Sequence, residues 1–326
     1  MDCWKESIRL KSDFAIPHRN LALAYYNKRA MYREALSEME TAFALNEGDA
    51  RVFMELDQLR KKLHVKASER LAYMEHRFAL VAARDDQYLE YCTLLNVLGE
   101  YEKALGLLLA RGFHPWEGGE GKVPAQWRIA MSQLARGELQ RGEYAVAIRR
   151  LQTLAGDYPE SFGEGKLFGA QENDIYYLLG KAYAAKGDMQ SAHAAFERAG
   201  SGLSTPAGMM YYNDQPPEMI FYQGLARREL GDAKGAAMRF DSLIAYGMEH
   251  ADDKVSIEYF AVSLPDLQIF EEDLQKRNRI HCLFMRALGH LGKGETGEAD
   301  ALLRKLHELE PEHQGARVHI AGFIAR

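Results

Sequence analysis

Residues 174–200 read DIYYLLGKAYAAKGDMQSAHAAFERAG, and this stretch decides the fold. Apolar residues recur in it at helical spacing on both sides of the pair Gly187-Asp188. The spacing predicts two amphipathic helices, because residues three and four positions apart share one helix face. Glycine readily takes the left-handed conformation that ends a helix, and an acidic residue is favourable at the positive start of the next one. The stretch therefore predicts a helix, a tight turn and a second helix.

The same short pattern occurs five times in the chain: a glycine, an acidic residue, and an alanine five positions after the glycine. The copies begin at Gly99, Gly142, Gly187, Gly231 and Gly294. A pattern that returns at intervals indicates a repeat architecture, in which each helix pair covers the apolar face of its neighbour. The small alanine allows the two helices of a pair to cross closely.

Residues 174–200 resemble the tetratricopeptide repeat, a helix pair of about 34 residues. The resemblance lies in a large residue, Leu-Gly three and four positions later, a tyrosine, and then Gly, Ala, Phe and Ala at that family's intervals. It extends more loosely to residues 21–45, 87–109, 220–244 and 282–311. The copy around Arg70 departs from the pattern, since arginine stands where alanine is usual. The resemblance implies an all-α fold, a right-handed superhelical solenoid of about seven helix pairs.

The interval between repeats, counted on the alanine position, stays near 34 residues as far as Ala104 and is longer afterwards. We therefore predict one array in five parts. These are the second helix of an incomplete repeat at 1–15, three repeats near 34 residues at 16–117, repeats with loop insertions at 118–245, a long insertion at 246–277, and a last repeat with a cap at 278–326. Trp4 and Ile8 occupy second-helix packing positions, which favours further protein upstream of Met1 over a capping helix.

The composition argues against several classes of protein. The chain has 41 basic and 47 acidic residues, a net charge of −6, and both signs are scattered along it. A nucleic-acid partner is not expected, because such binding normally shows as a basic face. No apolar run approaches the roughly 18 residues that cross a bilayer, and the first 30 residues lack a secretory pattern. We expect a cytoplasmic protein without a membrane partner, in which Cys3, Cys92 and Cys282 are reduced.

Two glycine-rich loops end in lysine, GGEGK at 118–122 and GEGK at 163–166. A phosphate-binding loop needs a glycine five residues before its Gly-Lys pair and Ser or Thr after it. In the first loop Trp116 and Val123 stand at those positions, so nucleotide binding is not predicted. The two loops are 44 residues apart, which matches the local repeat spacing. Their charged side chains are therefore expected at equivalent places on adjacent repeats, either pairing to brace the loops or reaching into a groove.

Neither a metal site nor a cofactor site is predicted. HELEPEH at 307–313 resembles the zinc motif HExxH, but Pro311 stands where the second histidine is needed and ends the helix. Carboxylates are the one catalytic option: Glu117, Glu120 and Glu164 could supply an acid and a base if burial raised one pKa. Acidic residues at junctions between loops and helices more often cap helices, as expected for Asn173 and Asp174.

A ligand groove is the remaining interpretation. In tetratricopeptide arrays the first helix of each repeat lines the concave surface, and those positions here give a polar and aromatic set that suits a peptide or a sugar. The predicted ligand-binding residues on first helices are Asn20, Asn27, Asn96, Arg136, Asn173, Asp174, Tyr177, Lys181, Phe221 and His281, with Lys28, Ser132, Glu218, Arg228 and Phe284 at further such positions. Those in loops are His114, Trp116, Glu120, Lys122, Glu164, Lys166, Asn213, Asp214 and Gln215.

Four loop sequences lie outside the general repeat pattern. They are FHPWEGGEGK, GEGKLFGAQEND, YYNDQPPEMIFYQGLA and the pair YFAVSLPD and NRIHC. From about Trp4 to Ala316 the chain resembles a bacterial family in which a tetratricopeptide array forms the C-terminal part of a larger protein. The array follows a β-rich domain of unknown function that is linked to carbohydrate-utilisation genes. The resemblance implies that the loops face a saccharide or dock onto that domain.

These observations predict a non-catalytic scaffold that binds a protein or peptide segment, an upstream β-rich domain, or an oligosaccharide. The alternative is the accessory half of a carbohydrate-active enzyme, to which the loop carboxylates would contribute.

Overall fold

The computed structural model describes residues 1–116, 118–167, 169–208, 214–256 and 269–320. In these ranges the regular structure is helical, with a single 3-10 turn at Glu160–Phe162. The helices are α1 Asp2–Leu10, α2 Ala15–Arg29, α3 Tyr32–Leu45, α4 Ala50–Lys62, α5 Ala67–Glu75, α6 Phe78–Ala82, α7 Asp85–Leu98, α8 Tyr101–Leu109, α9 Lys122–Gln140, α10 Tyr144–Ala155, α11 Asn173–Lys186, α12 Met189–Ala199, α13 Pro217–Glu229, α14 Ala233–Glu249, α15 Leu274–Lys293, α16 Thr296–Leu309 and α17 Gln314–His319.

The predicted helix pairs are confirmed, and so is the reason for their turns. The five glycines of the pattern all have left-handed φ, between 78° and 87°. The acidic residue after each glycine is the N-cap of the next helix. The Asp188 and Asp232 side chains accept hydrogen bonds from the backbone N–H groups of Ser191 and Gly235. The three glutamates form no such bond, in keeping with the preference for short side chains at this position.

Close helix crossings explain the small residues of the pattern. The five alanines of the pattern, Ala104, Ala147, Ala192, Ala236 and Ala299, are all buried. A Cβ atom added at Gly180 on α11 would lie 2.4 Å from the Phe196 ring on α12. Gly224 has the same relation to Phe240, the next ring along the array, at 2.4 Å. The glycine at this position thus admits an aromatic ring from the partner helix.

The contacts group the chain into two compact units. Among the described residues, unit 1 consists of 1–99, 116, 118, 119 and 269–272, and unit 2 of 100–115, the described part of 120–256, and 273–320. The boundary falls at the turn between α7 and α8. At the two ends of the predicted long insertion, α14 continues to Glu249 and α15 begins at Leu274.

A buried ion network explains the arginine that departs from the pattern in unit 1. Arg70 on α5 is only 1% exposed, and its guanidinium donates two parallel hydrogen bonds to the Asp57 carboxylate, at 2.9 and 2.7 Å. The same group donates to Glu90 on α7 at 2.7 Å. The arginine therefore replaces apolar packing with a charged link between three helices.

The described residues contain neither a membrane-spanning helix nor a cluster of metal ligands. None of the described helices is long and apolar enough to cross a membrane. In the same residues no group of three or more His, Cys, Asp or Glu side chains is placed to hold a metal ion.

Candidate functional site

The first helices of the repeats in unit 2, α9, α11, α13 and α15, lie side by side. We call their shared surface the first-helix face. A segment of the same chain occupies it, because α17 is hydrogen-bonded to residues of α9 and α13. The amides of Gln126 and Gln314 pair reciprocally at 3.0 Å in both directions. Gln133, two turns further along α9, donates to the Val318 carbonyl at 3.3 Å.

A chain of polar contacts fixes the end of α17. Arg136 donates to the Tyr222 hydroxyl oxygen at 2.5 Å, and this hydroxyl lies 3.1 Å from Nδ1 of His319. Since a guanidinium can only donate, the tyrosine proton is directed to His319 Nδ1, which is then the acceptor of a neutral ring. The other ring nitrogen lies 3.8 Å from the Glu218 carboxylate. We call Gln126, Gln133, Arg136, Glu218, Tyr222 and Phe284 the α17 seat.

Apolar side chains complete the contact. Ala316, Val318 and Ile320 are buried, with at most 8% of each exposed. The Phe284 ring on α15 contacts the ring of His313, the residue that caps α17, at a tilt of 53° and with 4.9 Å between ring centroids. A short segment is thus held by apolar anchors, by side-chain amides and by one bond to its main chain.

Burial favours the neutral forms of Glu218, His319 and Tyr222, which lie beside the cation Arg136. Burial and the nearby Asp174 raise the pKa of Glu218 to about 7, against an opposing effect of Arg128. Burial and the cations Arg136 and Arg128 lower the pKa of His319 well below its ordinary value. Burial also raises the pKa of Tyr222 to about 12. Among these three groups, Glu218 is therefore the one that titrates near neutrality.

A second polar contact with the main chain lies in unit 1. The Asn27 amide on α2 donates to the Ile269 carbonyl at 2.8 Å and accepts from the Glu271 N–H at 2.9 Å. Phe270, between these two residues, is buried against the Tyr26 ring. Lys28 forms an ion pair with the Glu271 carboxylate.

Two open grooves lie on the surface, one beside residues that were predicted to bind a ligand and one beside aromatic residues. One of about 250 Å³ in unit 1 is lined by Trp4, Asn20, Leu23, Ala24, Asn27 and Lys28. The larger one, of about 540 Å³, is formed by α10, α11 and α12 in unit 2, and includes Tyr176, Tyr183 and Arg198. No residue of the predicted groove lines it.

A hydrogen bond connects the two glycine-rich loops. Glu164 in the second loop accepts from the N–H of Gly121 in the first at 2.8 Å. Lys166 donates to the carbonyls of Ala155 and Gly156 at the end of α10, and pairs with the Glu172 carboxylate. Lys122 begins α9 and Glu120 is partly exposed.

Several predicted ligand residues serve the fold. Asn173 does not cap α11; its amide donates to the carbonyls of Ala199 and Ser201 at the end of α12, both at 2.7 Å. Asp174 likewise is not the cap and pairs with Arg128 at 3.2 Å. This differs from the capping prediction because α11 begins one residue earlier than a cap at Asn173 requires.

Other predicted residues lie in the core or on separate surfaces. Phe221 has no exposed area and packs on Tyr222 and Phe240, so it does not line an open groove as predicted. His281 is mostly buried, with Nε2 2.8 Å from the Ala207 carbonyl, and Gln215 donates to the Leu203 carbonyl at 2.9 Å.

The remaining predicted residues are dispersed among buried, paired and exposed positions. Tyr177 and Asn96 are buried, Lys181 pairs with Glu229 at 2.9 Å, Trp116 lies beside Gly119, His114 is exposed and Asp214 is partly exposed. Glu117 and Asn213 lie outside the described residues.

Arg136, Glu218 and Phe284, which were predicted at first-helix positions, lie in the α17 seat, whereas Gln126, Gln133 and Tyr222 were not predicted. The signal for the glutamines was available, since they stand seven residues apart on one predicted helix. Their partner in α17 had no such signal, because it lies 188 residues away in the chain.

A family model of the tetratricopeptide repeat matches residues 124–161, which include most of α9 and all of α10. The structure is similar to the crystal structure of the C-terminal part of a TPR repeat-containing protein from Cytophaga hutchinsonii, at 14% identity and TM-score 0.38, covering 92% of this chain and 98% of that one. It is also similar to the P58(IPK) TPR domain, at 15% identity and TM-score 0.33, covering 95% and 77%. For Naa15/Naa10 bound to HypK-THB the identity is 10%, the TM-score 0.39, and the coverage 94% and 55%. The matched segment thus corresponds to one helix pair, α9 and α10.

Proposed function

We propose that the protein is an interaction scaffold whose first-helix face in unit 2 binds a short segment of a partner protein. The observation that carries the proposal is α17 itself: the face already holds a peptide segment, through the reciprocal Gln126–Gln314 amides and the buried Ile320 side chain. A partner segment would use the same anchors after α17 leaves.

The chemistry of the seat supports a peptide as the ligand. Gln133 recognises a main-chain carbonyl, which every peptide provides. The amide of Gln126 and the hydroxyl of Tyr222 add directional hydrogen bonds beside buried apolar side chains, a combination typical of peptide sites.

A companion β-rich domain and an oligosaccharide are hypotheses drawn from the resemblance, and they belong to the elongated loops. The peptide is favoured over both because the occupant of the seat is a peptide. The enzymatic alternative would need a free loop carboxylate. The structure describes two of the three candidate carboxylates, Glu120 and Glu164. Glu164 already accepts a hydrogen bond from the backbone N–H of Gly121.

The test uses a fluorescent peptide of residues 311–320, PEHQGARVHI, and the full chain. Resident α17 competes with it at an effective concentration on the order of millimolar. Replacing Gln314 and His319 with alanine loosens α17 and leaves the seat intact. We therefore expect the peptide to bind this variant at least about tenfold more tightly than the wild type, by fluorescence anisotropy.

A further Gln126→Ala change in the loosened variant is the matched control. It removes the groups that pair with the peptide glutamine and should weaken binding by roughly tenfold. Hydrogen exchange of residues 311–320 reports whether α17 has opened. Absence of peptide binding to a variant in which α17 has opened would refute the proposal.

A further inference from the structure

Asn27 in unit 1 brackets one residue of a distant segment. Its amide holds the carbonyl before Phe270 and the N–H after it, as the distances of 2.8 and 2.9 Å show. Both bonds go to main-chain groups, so they do not depend on the side chains of the segment. An asparagine whose side-chain N–H donates to one peptide group, and whose side-chain oxygen accepts from the next, recognises the main chain on both sides of a single residue.

The bracketed residue is an aromatic anchor. Phe270 is 1% exposed, and its ring meets the Tyr26 ring edge-on at 5.1 Å. Tyr26 in turn contacts Tyr32 on α3 at 5.1 Å. A buried aromatic side chain commonly supplies the largest part of the binding free energy of a short peptide.

Charge favours an acidic residue after the anchor. The segment continues as Glu271, Glu272 and Asp273, while α2 ends with Lys28 and Arg29. Lys28 pairs with the Glu271 carboxylate, and both side chains are more than half exposed. The ion pair therefore contributes mainly to orientation and to selection against basic segments.

The segment leaves part of the surface of α2 open. The groove of about 250 Å³ runs along α2 from Asn27 to Asn20, with Trp4 on one side. Asn20 lies two turns before Asn27, a distance of about 10 Å, which about three extended residues span. In the described part of the chain the Asn20 side chain makes one long contact, with Arg19 at 3.4 Å. A longer peptide has room for further residues there.

We propose that Ile269–Glu271 is a resident ligand of a peptide site on α2, and that a partner protein displaces it with a segment in which an aromatic residue precedes acidic ones. The site belongs to unit 1 and does not depend on the α17 seat. Its occupant is defined by the main-chain clamp, the aromatic anchor and the basic end of α2.

The test uses a fluorescent, end-blocked peptide of residues 269–273, IFEED, and the full chain. Phe270→Ala removes the resident anchor and leaves α2 unchanged. We expect the peptide to bind this variant at least about tenfold more tightly than it binds the wild type, because a buried phenylalanine of the chain no longer competes. The peptide IAEED should not bind.

Asn27→Ala in the Phe270→Ala background should weaken IFEED binding by about tenfold, since both clamp bonds are lost. Asn20→Ala is the matched control and should leave the affinity for this short peptide unchanged. Circular dichroism and hydrogen exchange of α2 confirm that each variant is folded. Equal binding to wild type and Phe270→Ala, or binding that Asn27→Ala leaves unchanged, would overturn the proposal.

The two peptides separate this inference from the proposed function. Neither Phe270→Ala nor Asn27→Ala should alter binding of the 311–320 peptide to the loosened α17 variant. A loss of both activities in a folded Asn27→Ala chain would overturn the assignment of the clamp to a separate site.

Discussion

Glu218→Gln should change how the stability of unit 2 depends on pH. The Glu218 side chain is 19% exposed, and burial together with Asp174 raises its pKa from the ordinary 4.5 to about 7. A carboxyl group with a raised pKa binds its proton more tightly in the folded protein. Its favourable contribution is complete below pH 4.5 and is lost as the pH rises to about 7.

The magnitude follows from the size of the shift. Each pKa unit corresponds to about 1.4 kcal/mol, so the contribution lost between pH 4.5 and 7 is about 3 kcal/mol. Glutamine has nearly the same shape and does not ionise. The stability of the variant minus that of the wild type should therefore be near zero at pH 4.5 and rise to about 3 kcal/mol above pH 7, in favour of the variant.

Urea unfolding of both chains between pH 4.5 and 8, followed by circular dichroism, measures this difference, and hydrogen exchange localises it to α13 and α17. Comparing the two chains at each pH removes the contributions of titratable groups that do not interact with residue 218. Glu143→Gln is the control: bonding to Arg141 lowers the pKa of Glu143, so no such rise is expected. A difference that stays flat, or that favours the wild type at pH 8, would show that an ion pair with His319 outweighs burial.

Two further predictions concern the repeat pattern. Arg70→Ala introduces the residue that is usual in the repeat, but it should destabilise the chain by about 3–5 kcal/mol in urea unfolding, because the buried Asp57 carboxylate is left without its partner. The double change Arg70→Met and Asp57→Asn should lower the free energy of unfolding much less. Equal losses in the two variants would contradict the argument. Gly180→Ala should destabilise by about 1–3 kcal/mol through contact with Phe196. Gly106→Ala, which meets open space in an exposed helix position, should stabilise by about 0.5–1 kcal/mol, and the same sign for both alanines would refute the crossing argument.

The helices and their turns were predictable because their causes are local. Gly187 and Asp188 set a turn through the backbone conformation of one residue and the cap formed by the next, and both properties are visible in the sequence. The short α6 and the extension of α14 to Glu249 were missed. Neither has a glycine or a proline at its boundary to mark it, so packing decides where these helices end.

The candidate sites were only half predictable, for a different reason. Asn27 and Arg136 were identified on the correct helices, because position within a repeat determines which face a residue occupies. Their partners come from 242 and 86 residues away. Asn27 also binds main-chain atoms, which are the same in every residue, so no sequence pattern identifies Ile269 and Glu271 as its partners.

In both proposed peptide sites, a segment of the chain itself occupies the surface. Such an arrangement reduces the apparent affinity for a partner by the fraction of time that the surface is free. Because the competing segment is tethered, its concentration does not fall when the protein is diluted, and a partner must exceed an effective concentration on the order of millimolar. If the two proposed sites bind partner peptides, weak and accidental peptides would therefore be rejected, whereas a partner that reproduces the anchoring contacts of the resident segment would displace it. Specificity would then arise from competition within the chain as well as from the contacts that the partner makes.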